Sequence, residues 1–391
     1  MSAVEISIVL PCLNEAETIA SCIAKAQHSF ARLGINGEIL VVDNGSTDNS
    51  IEIAKNLNAR VIQVIEKGYG SALLEGFKFA YGEYIIMADA DDSYALDQID
   101  QFVSELRGGS DLVMGNRFAG MIEKGSMPFL HRYIGNPVLS FIGRLLFKSK
   151  VRDFHCGIRG INRKRILLLD LNTKGMEFAS ELVVKSELAN YTITEVPTIL
   201  KPDGRSRPPH LRTWRDGWRH LRFLFSYSPK WLFLYPGILF SVSGFFGVAI
   251  LFFGSFTIFD VNFDLQSLIL SCFILISGTQ MIWFAVLAKA NSISKGFLPF
   301  DKKWKKTFGI LKNDSFYLLY LLAILIGLII ITLQFITWAN YSFGNLVVTE
   351  VLRTSVLGCL FLFVGFQALT SHFLLSMITM GTIISSGDEN T

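Results

Sequence analysis

The chain has 391 residues, a formal net charge of +3, 51% apolar residues and 18% charged residues. Ordinary soluble domains are about 45–50% apolar and about 25% charged, so charged residues are depleted here. This composition excludes intrinsic disorder, a collagen-like repeat and a disulfide scaffold. The five cysteines are widely spread and form no CxxC pair, which indicates reduced thiols rather than disulfides or zinc ligands.

The first half of the chain alternates short apolar runs with helical patterns. Strands are predicted at 6–10, 38–42, 60–65, 84–88 and 111–115, and helices at 15–30, 51–57 and 69–80. This alternation predicts an α/β sheet of mostly parallel strands with helices on both faces. Ligands of such sheets bind at the carboxyl ends of the strands.

Polar clusters follow four of the predicted strands, at residues 11–15, 43–48, 89–92 and 116–117. Because the carboxyl ends of parallel strands meet at one edge of a sheet, we expect these clusters to form one site. No GxGxxG follows the first strand and no GxxxxGK[ST] occurs in the sequence, which disfavours a dinucleotide site and a P-loop.

Three carboxylates, Asp89, Asp91 and Asp92, come directly after the fourth predicted strand. In an extended segment Asp89 and Asp91 point the same way, so their charges repel each other unless a cation lies between them. Carboxylate oxygens are the ligands that Mg²⁺ and Mn²⁺ prefer. The pattern favours a divalent metal at Asp89 and Asp91, and a solvated acidic turn is the alternative.

The second half of the chain is apolar. Of the 36 basic residues, 28 precede Trp231 and eight follow it. Four runs without Asp, Glu, Lys or Arg exceed the ~20 residues that a helix needs to cross a bilayer. They are residues 231–259, 265–288, 316–339 and 355–384. We therefore predict a membrane domain of four transmembrane helices at 231–391.

The distribution of lysines predicts the orientation of this membrane domain. Seven lysines lie in 289–312, whereas 260–264 has no basic residue and 340–354 has only Arg353. Basic loops stay in the cytoplasm, so both termini and an N-terminal domain at 1–200 are expected there, in a multi-pass integral membrane protein. The first apolar stretch, 6–10, is too short for a secretory signal.

Two further segments have the character of a membrane surface. Residues 201–230 hold eight basic and two acidic residues with interleaved tryptophans, and we interpret them as a basic loop followed by a juxtamembrane amphipathic segment. A nucleic-acid site is disfavoured because the segment leads into a membrane span, while simple positive-inside anchoring remains the alternative. Residues 127–148 mix aromatic and aliphatic residues with basic ones, which favours an interfacial stretch over an ordinary partly buried helix.

Six motifs follow one another along the first 181 residues. They are PCLNE at 11–15, DNGSTD at 43–48, DAD at 89–91, GNR at 115–117, DFHCGIR at 153–159 and GMEFASE at 175–181. In this order they resemble family 2 glycosyltransferases with the Rossmann-like GT-A fold, and especially the polyprenyl-phosphate branch that includes dolichol-phosphate mannosyl- and glucosyltransferases. The resemblance spans about residues 4–230, and the apolar half resembles the four-helix form of these enzymes by layout.

The resemblance implies an inverting transfer of a hexose from a nucleotide sugar to a polyprenyl phosphate, with Mg²⁺ or Mn²⁺ as cofactor. It implies that the nucleotide is bound by Pro11, Leu13, Asn14, Glu15, Asp43 and Asp89, and the metal by Asp89 and Asp91. The basic loop is expected to bring Lys201 and Arg205 near the donor diphosphate. The expected acceptor ligands are Arg117, Arg132 and Asn136.

Asp91, Arg117, Arg132 and Asp153 are the expected catalytic residues, with Asp153 orienting the sugar or the acceptor. Two departures from the family pattern concern binding. Ser93 stands where the mannosyltransferases often have Gln, and Asn136 stands where Ser is usual. The DADD and HCG details favour UDP-glucose as donor, with GDP-mannose as the alternative.

Two rival functions stay open. A processive polysaccharide synthase is disfavoured because the QxxRW motif is absent and four helices are few for a polymer channel. A membrane scaffold or lipid flippase with a degenerate transferase domain is disfavoured because Asp89 and Asp91 are retained. The expected partners are a nucleotide sugar, a polyprenyl phosphate and the bilayer, without nucleic acid, and a homo-oligomer is left open.

Overall fold

The computed structural model describes residues 3–206, 213–295, 298, 300, 302–311, 313–344 and 348–380. Arg207 and Arg212 of the basic loop lie outside the described residues. The chain divides into two compact units, Met1–Ser226 and Tyr227–Thr391.

The first unit is built on a seven-stranded sheet of order β3-β2-β1-β4-β6-β5-β7. The strands are β1 Ile6–Cys12, β2 Gly37–Asp43, β3 Arg60–Gln63, β4 Tyr84–Met87, β5 Leu112–Ile122, β6 Arg159–Asn162 and β7 Ile193–Leu200. Every pair in the sheet is parallel except the two that β6 makes with β4 and β5. The mostly parallel sheet that the sequence predicts is thus confirmed.

Helices lie between successive strands of the sheet along the chain, and the last helix of the unit follows β7. They are α1 Ile19–Leu33, α2 Ser50–Asn56, α3 Tyr69–Phe79, α4 Asp100–Arg107, α5 Asn136–Phe147, α6 Arg163–Leu167, α7 Phe178–Leu188 and α8 Thr213–Ser226, with a π-helical turn at His131–Gly135 before α5. Helix α1 buries Ile19, Cys22, Ile23 and Ala26, which recur at helical spacing, and ends at Gly34 with φ +63°. These apolar positions pack against Ile8 of β1 in the core of the unit.

Strand β5 is longer than the sequence pattern suggests. The predicted strand stops at residue 115, whereas β5 continues to Ile122 because β7 pairs with it, with a register shift between Asn116 and Met121. As a result, Asn116 and Arg117 lie within β5 and not in a loop after it. Tertiary pairing with a distant strand decides this boundary.

In its described residues, the second unit contains four helices that are long and apolar enough to cross a membrane. Its elements are a π-helical turn Lys230–Leu234, α9 Tyr235–Phe253, β8 Phe256–Ile258, β9 Val261–Phe263, α10 Leu265–Ser294, α11 Lys302–Leu311, α12 Ser315–Asn340 and α13 Val348–Thr379. The first predicted run extends to residue 259, but its helix ends at Phe253 and is followed by the β8-β9 hairpin. Gly254, with φ 166°, starts this extended segment.

Glycines allow close approach of α9 and α10. A Cβ added to Gly244 would lie 2.5 Å from the backbone nitrogen of Leu275, and one added to Gly278 would lie 2.3 Å from that of Ser241. Small residues at helix crossings are typical of membrane helices, where packing rather than the hydrophobic effect drives association.

We expect Gly278→Val to lower the free energy of unfolding by about 1–3 kcal/mol, because its side chain would collide with the backbone of α9. The measurement is SDS-induced unfolding of the purified protein in micelles, followed by tryptophan fluorescence. Gly254→Val is the matched control, since a Cβ there meets no heavy atom of the described residues within 4 Å. Equal stability of the two variants would contradict the role of close helix approach.

Candidate active site

Two loops at the carboxyl ends of β1 and β2 are tied together by hydrogen bonds. The buried Asp43 carboxylate accepts from the backbone N–H groups of Gly45 at 3.1 Å and Ser46 at 3.0 Å. Asn14, with φ 59°, accepts at its Oδ1 from the Thr47 N–H at 2.7 Å. Pro11 pairs with Val42 in the sheet, and Leu13 continues the chain from β1 into the first loop. The residues expected at the nucleotide therefore share one edge of the sheet.

Asp89 follows β4 at the same edge and is enclosed by its neighbours. The Tyr69 hydroxyl donates to Asp89 Oδ1 at 3.0 Å. A Cβ added to Gly157 would lie 2.3 Å from Asp89 Oδ2, so glycine is required for this close approach. Burial, together with the negative charge of Asp91, raises the pKa of Asp89 to about 6.

The neighbouring acidic residues, Asp91 and Asp92, have different partners. Asp91 Oδ1 accepts from the N–H and hydroxyl of Ser93 at 3.1 and 2.6 Å, which fixes the orientation of the carboxylate. Asp92, with φ 63°, instead pairs with Lys25 at 2.6 Å and accepts from Ser21 at 2.9 Å. Asp91 is therefore oriented by Ser93, whereas Asp92 is held by two residues of α1.

Arg205 brings the basic loop to these carboxylates. Its guanidinium lies 2.7 Å from Asp91 Oδ2, 3.1 Å from Glu15 Oε1 and 3.2 Å from Asp203 Oδ2. The loop backbone is held as well, because Lys201 donates its N–H to the Ser93 carbonyl at 2.9 Å and Gly204 donates to the Asp91 carbonyl at 3.0 Å. Arg205 thus supplies the positive charge that Asp91 and Glu15 need at this edge.

The carboxylates fit a divalent cation that shares its coordination with a ligand. Within the described ranges, no three His, Cys, Asp or Glu side chains form a metal-binding group. The charge of Asp91 nevertheless disfavours the ionised form of Asp89, and a cation beside the two carboxylates would relieve this repulsion. Mg²⁺ commonly takes one or two protein carboxylates and completes its shell with phosphate oxygens and water.

Arg117 and Asp153 form a buried bidentate ion pair. Arg117 Nε lies 2.7 Å from Asp153 Oδ2, Arg117 Nη2 lies 2.7 Å from Oδ1, and the Arg117 N–H also donates to Oδ2 at 3.1 Å. Asp153 is 0% exposed and Arg117 is 8% exposed. The buried Asp153 carboxylate thus contacts Arg117 through both of its oxygens.

A largely apolar cavity of about 380 Å³ lies beside Arg117. Asn136 also lines it, together with residues from the π-helical turn, α5 and α8: Leu130, His131, Ile134, Gly135, Val138, Leu139, Ile142, His155, Trp214, Asp216, Gly217, Trp218, His220 and Leu221. Arg132 is not among the lining residues that the structure describes, and its guanidinium lies 5.6 Å from the Tyr133 ring. The structure thus brings together two of the three expected acceptor residues.

The cavity wall contains two histidines that sequence reasoning did not connect. Ser180 Oγ lies 3.2 Å from His155 Nε2 and 2.9 Å from His220 Nδ1, and the two rings are 4.5 Å apart. Burial lowers the pKa of both rings, that of His220 to about 4. Their distance along the chain hides this pairing, although His155 and Ser180 each lie in a recognised motif.

We expect Asp153→Ala to lower the free energy of unfolding by about 3–5 kcal/mol, because it leaves a buried guanidinium without its partner. Unfolding in micelles measures this loss. Asp100→Ala is the control, since it breaks the exposed pair between Asp100 and Arg32 and should cost much less. A small effect of Asp153→Ala would mean that solvent or another group compensates Arg117.

We also expect the stability of the protein to fall as the pH is lowered from about 6.5 to about 4. The folded state lowers the pKa of His220, so the unfolded chain binds a proton first. The contribution of the neutral His220 ring to the free energy of unfolding is fully present above pH 6.5 and amounts to about 3 kcal/mol.

The measurement is the unfolding free energy across this pH range. His220→Gln should flatten its slope, whereas His28→Gln, at an exposed position of α1, should not. A slope unchanged by His220→Gln would contradict a neutral buried ring.

Comparison with known proteins relates both units to one family. Residues 7–167 match the model of glycosyl transferase family 2, and residues 286–379 match that of the glycosyltransferase family 2 C-terminal transmembrane region. The low-salt glycan biosynthesis hexosyltransferase Agl6 of Haloferax volcanii is 31% identical over 95% of this chain and 89% of its own length.

Two further relatives are similar over about half of this chain. The dolichyl-phosphate hexose transferase of Haloferax volcanii is 30% identical over 49% of this chain and 81% of its own. The dolichol-phosphate mannosyltransferase of Pyrococcus furiosus is 27% identical over 49% of this chain and 55% of its own.

Among solved structures, glucosyl-3-phosphoglycerate synthase from Mycobacterium tuberculosis, in complex with Mn²⁺, UDP and glucosyl-3-phosphoglycerate, is similar with a TM-score of 0.44. It is 22% identical over 57% of this chain and 77% of that one. The sheet described above, the two family models and the near full-length relative agree with the expectation from the motifs. The chain therefore belongs to glycosyltransferase family 2, with a GT-A fold and the C-terminal transmembrane region of that family.

Proposed function

We propose that this glycosyltransferase moves a hexose from a nucleoside diphosphate sugar to a polyprenyl phosphate, with inversion at the anomeric carbon. The observation that carries the proposal is the proximity of two unlike sites within one unit. Asp89, at the carboxylate edge, interacts electrostatically with Arg117, which lines the apolar cavity. Two relatives named for transfer to dolichyl or dolichol phosphate support this acceptor class.

On the donor side, Asn14 and Asp43 hold the two loops of the nucleotide pocket in place. Asp89 and Asp91 would hold Mg²⁺ or Mn²⁺, which supplies neutralisation of the charge that develops on the leaving diphosphate. Arg205 forms ion pairs with Asp91 and Glu15, and we expect it to exchange them for diphosphate oxygens when the donor binds. UDP-glucose is the favoured donor and GDP-mannose the alternative.

On the acceptor side, Arg117 donates to the phosphate while the apolar wall of the cavity packs against the first isoprene units. A phosphate dianion is itself a nucleophile, so its attack on the anomeric carbon needs no strong general base. Asp153 keeps Arg117 in position through two 2.7 Å contacts. Arg132, although outside the cavity lining, has the charge to attract the phosphate on its way in.

The same face of the first unit suits a membrane surface. Phe129, Tyr133 and Phe141 around the π-helical turn and α5 are exposed, and so are Trp214 (82%) and Trp218 (62%) on α8. Exposed aromatic residues beside basic ones are typical of interfacial segments. With the lysine-rich loop before α12, this supports catalysis at the cytoplasmic face and cytoplasmic termini.

The test is to incubate the purified full-length protein with Mn²⁺, a polyprenyl phosphate and a panel of radiolabelled nucleotide sugars, and then extract the lipid. We expect one labelled glycolipid carrying a single hexose. A labelled polymer would favour the polysaccharide synthase, and unlabelled lipid with every donor would refute the proposal.

We further expect Asp91→Asn to reduce turnover more than about 100-fold, because a neutral amide binds a divalent cation poorly and leaves the diphosphate uncompensated. Asp92→Asn is the matched control: it is adjacent, and its carboxylate pairs with Lys25. We expect near wild-type turnover from that control, measured by the same lipid extraction. Equal activity of both variants would contradict the assignment of Asp91.

A further inference from the structure

Arg205 lies among three carboxylates at the candidate cation site. Its side chain is 10% exposed, and the guanidinium contacts Asp91 Oδ2 at 2.7 Å, Glu15 Oε1 at 3.1 Å and Asp203 Oδ2 at 3.2 Å. Its charge also counteracts the effect of burial on Asp89 and favours the ionised form of that carboxylate. In this structure, a side chain of the protein therefore supplies the positive charge that a divalent cation would bring to Asp89 and Asp91.

The chain on both sides of this guanidinium is held by contacts of its own. We call residues 201–206 the strap. Within it, Gly204 donates its N–H to the Asp91 carbonyl at 3.0 Å. Ser206 donates its N–H and its hydroxyl to the Glu17 carboxylate, at 2.7 and 2.6 Å. The strap thus fixes the guanidinium at the carboxylates through hydrogen bonds that do not involve its charge.

Arg205 and a divalent cation would compete for one oxygen atom. Asp91 Oδ1 accepts from the N–H and the hydroxyl of Ser93, at 3.1 and 2.6 Å, whereas Oδ2 is the oxygen that Arg205 contacts. A cation between Asp89 and Asp91 needs one of these oxygens as a ligand. It must displace the guanidinium from Oδ2, share that oxygen with a like charge, or break the hydrogen bonds of Ser93. Each of these routes costs free energy.

A diphosphate removes this cost because it offers oxygens to both positive charges. Its oxygens accept short, charge-assisted hydrogen bonds from a guanidinium, so Arg205 can leave Asp91 without losing a charge partner. Other oxygens of the same group complete the coordination shell of the cation. Binding of the cation and binding of the diphosphate therefore assist each other through Arg205, in addition to the contact between the two ligands.

We propose that Arg205 keeps the divalent cation from Asp89 and Asp91 until a nucleoside diphosphate enters the site. This rests on the proposed function in that the diphosphate belongs to the sugar donor. Arg205 is thus a specificity-determining residue, which distinguishes a cation that shares the site with a donor from a free cation. No covalent bond changes, and Arg205 returns to the carboxylates when the nucleotide leaves.

The first measurement is the affinity for Mn²⁺ alone. The full-length protein in micelles is titrated with Mn²⁺ near neutral pH without nucleotide, and electron paramagnetic resonance measures the free ion. We expect Arg205→Gln to lower the Kd of Mn²⁺ by about tenfold, a change typical of coupled sites. The glutamine carries no charge, so the cation then binds Asp91 without displacing a guanidinium.

The second measurement is the affinity for the nucleotide at saturating Mn²⁺, by calorimetry with UDP and with GDP. Here we expect the opposite sign. Arg205→Gln should raise the Kd of the nucleotide that binds by about tenfold, because the diphosphate loses a charged hydrogen-bond donor. Damage to the fold of the site would weaken the binding of both ligands, so opposite changes separate the proposal from a structural role.

Lys25→Gln is the matched control. It removes a positive charge from the adjacent Asp92, which Lys25 contacts at 2.6 Å, and it leaves Arg205 in place. We expect this variant to bind Mn²⁺ and the nucleotide as the wild type does. An affinity for Mn²⁺ that rises equally in both variants would mean that any nearby positive charge opposes the cation, which would overturn the proposal.

Two changes in Arg205→Gln together support the proposal, namely tighter binding of Mn²⁺ alone and weaker binding of the nucleotide. Unchanged or weaker binding of Mn²⁺ in that variant, or nucleotide binding equal to that of the wild type, overturns it. The proposed function then stays intact if the wild type still forms labelled glycolipid. No nucleotide binding by the wild type together with no labelled glycolipid overturns both.

Discussion

The buried ion pair between Arg117 and Asp153 fixes the guanidinium that lines the apolar cavity. It joins β5 to the segment before β6 through two side-chain contacts of 2.7 Å, across 36 residues of sequence. Burial of the Arg117 guanidinium without a carboxylate would cost several kcal/mol, so the fold keeps Asp153 beside it. Because the pair is fixed, Arg117 lines the cavity and its charge acts on Asp89, His131 and His155.

The rest of the site follows the same principle of compensated charge. Asp91 and Glu15 are paired with Arg205, and burial lowers the pKa of both His155 and His220. The two carboxylates are thus compensated by a side chain of the protein itself. Under the proposed function, a donor diphosphate would draw Arg205 away from these carboxylates. Donor binding would then be an exchange of charge partners in a site of low dielectric constant.

The second unit depends on a different constraint, which is the length of its apolar helices and the close approach between them. Its helices are specified by length and apolar composition, which a sequence displays directly. Their packing depends on where glycines meet, as Gly244 and Gly278 do between α9 and α10. Nothing in the spacing of these glycines identifies the partner helix, so the crossing is known only from the structure.

The sequence by itself determined the alternating architecture, the four apolar helices and the residues at the carboxyl ends of β1, β2 and β4. These features are local, because they depend on periodicity, run length and the residues that follow a strand. The alternation of side chains in an extended segment also separated Asp91 from Asp92. Only the structure shows the partner of Asp92, which has a φ of 63° and pairs with Lys25.

Only the tertiary structure decided which distant groups share an environment. The extension of β5 depends on pairing with β7, and compensation of the positive charge of Arg117 depends on Asp153. The link between His155 and His220 depends on a serine of α7. Such contacts join segments that are far apart in the chain, and their energies come from burial and from charge partners across the core. The local sequence pattern indicates neither which residues become buried together nor which charges become partners.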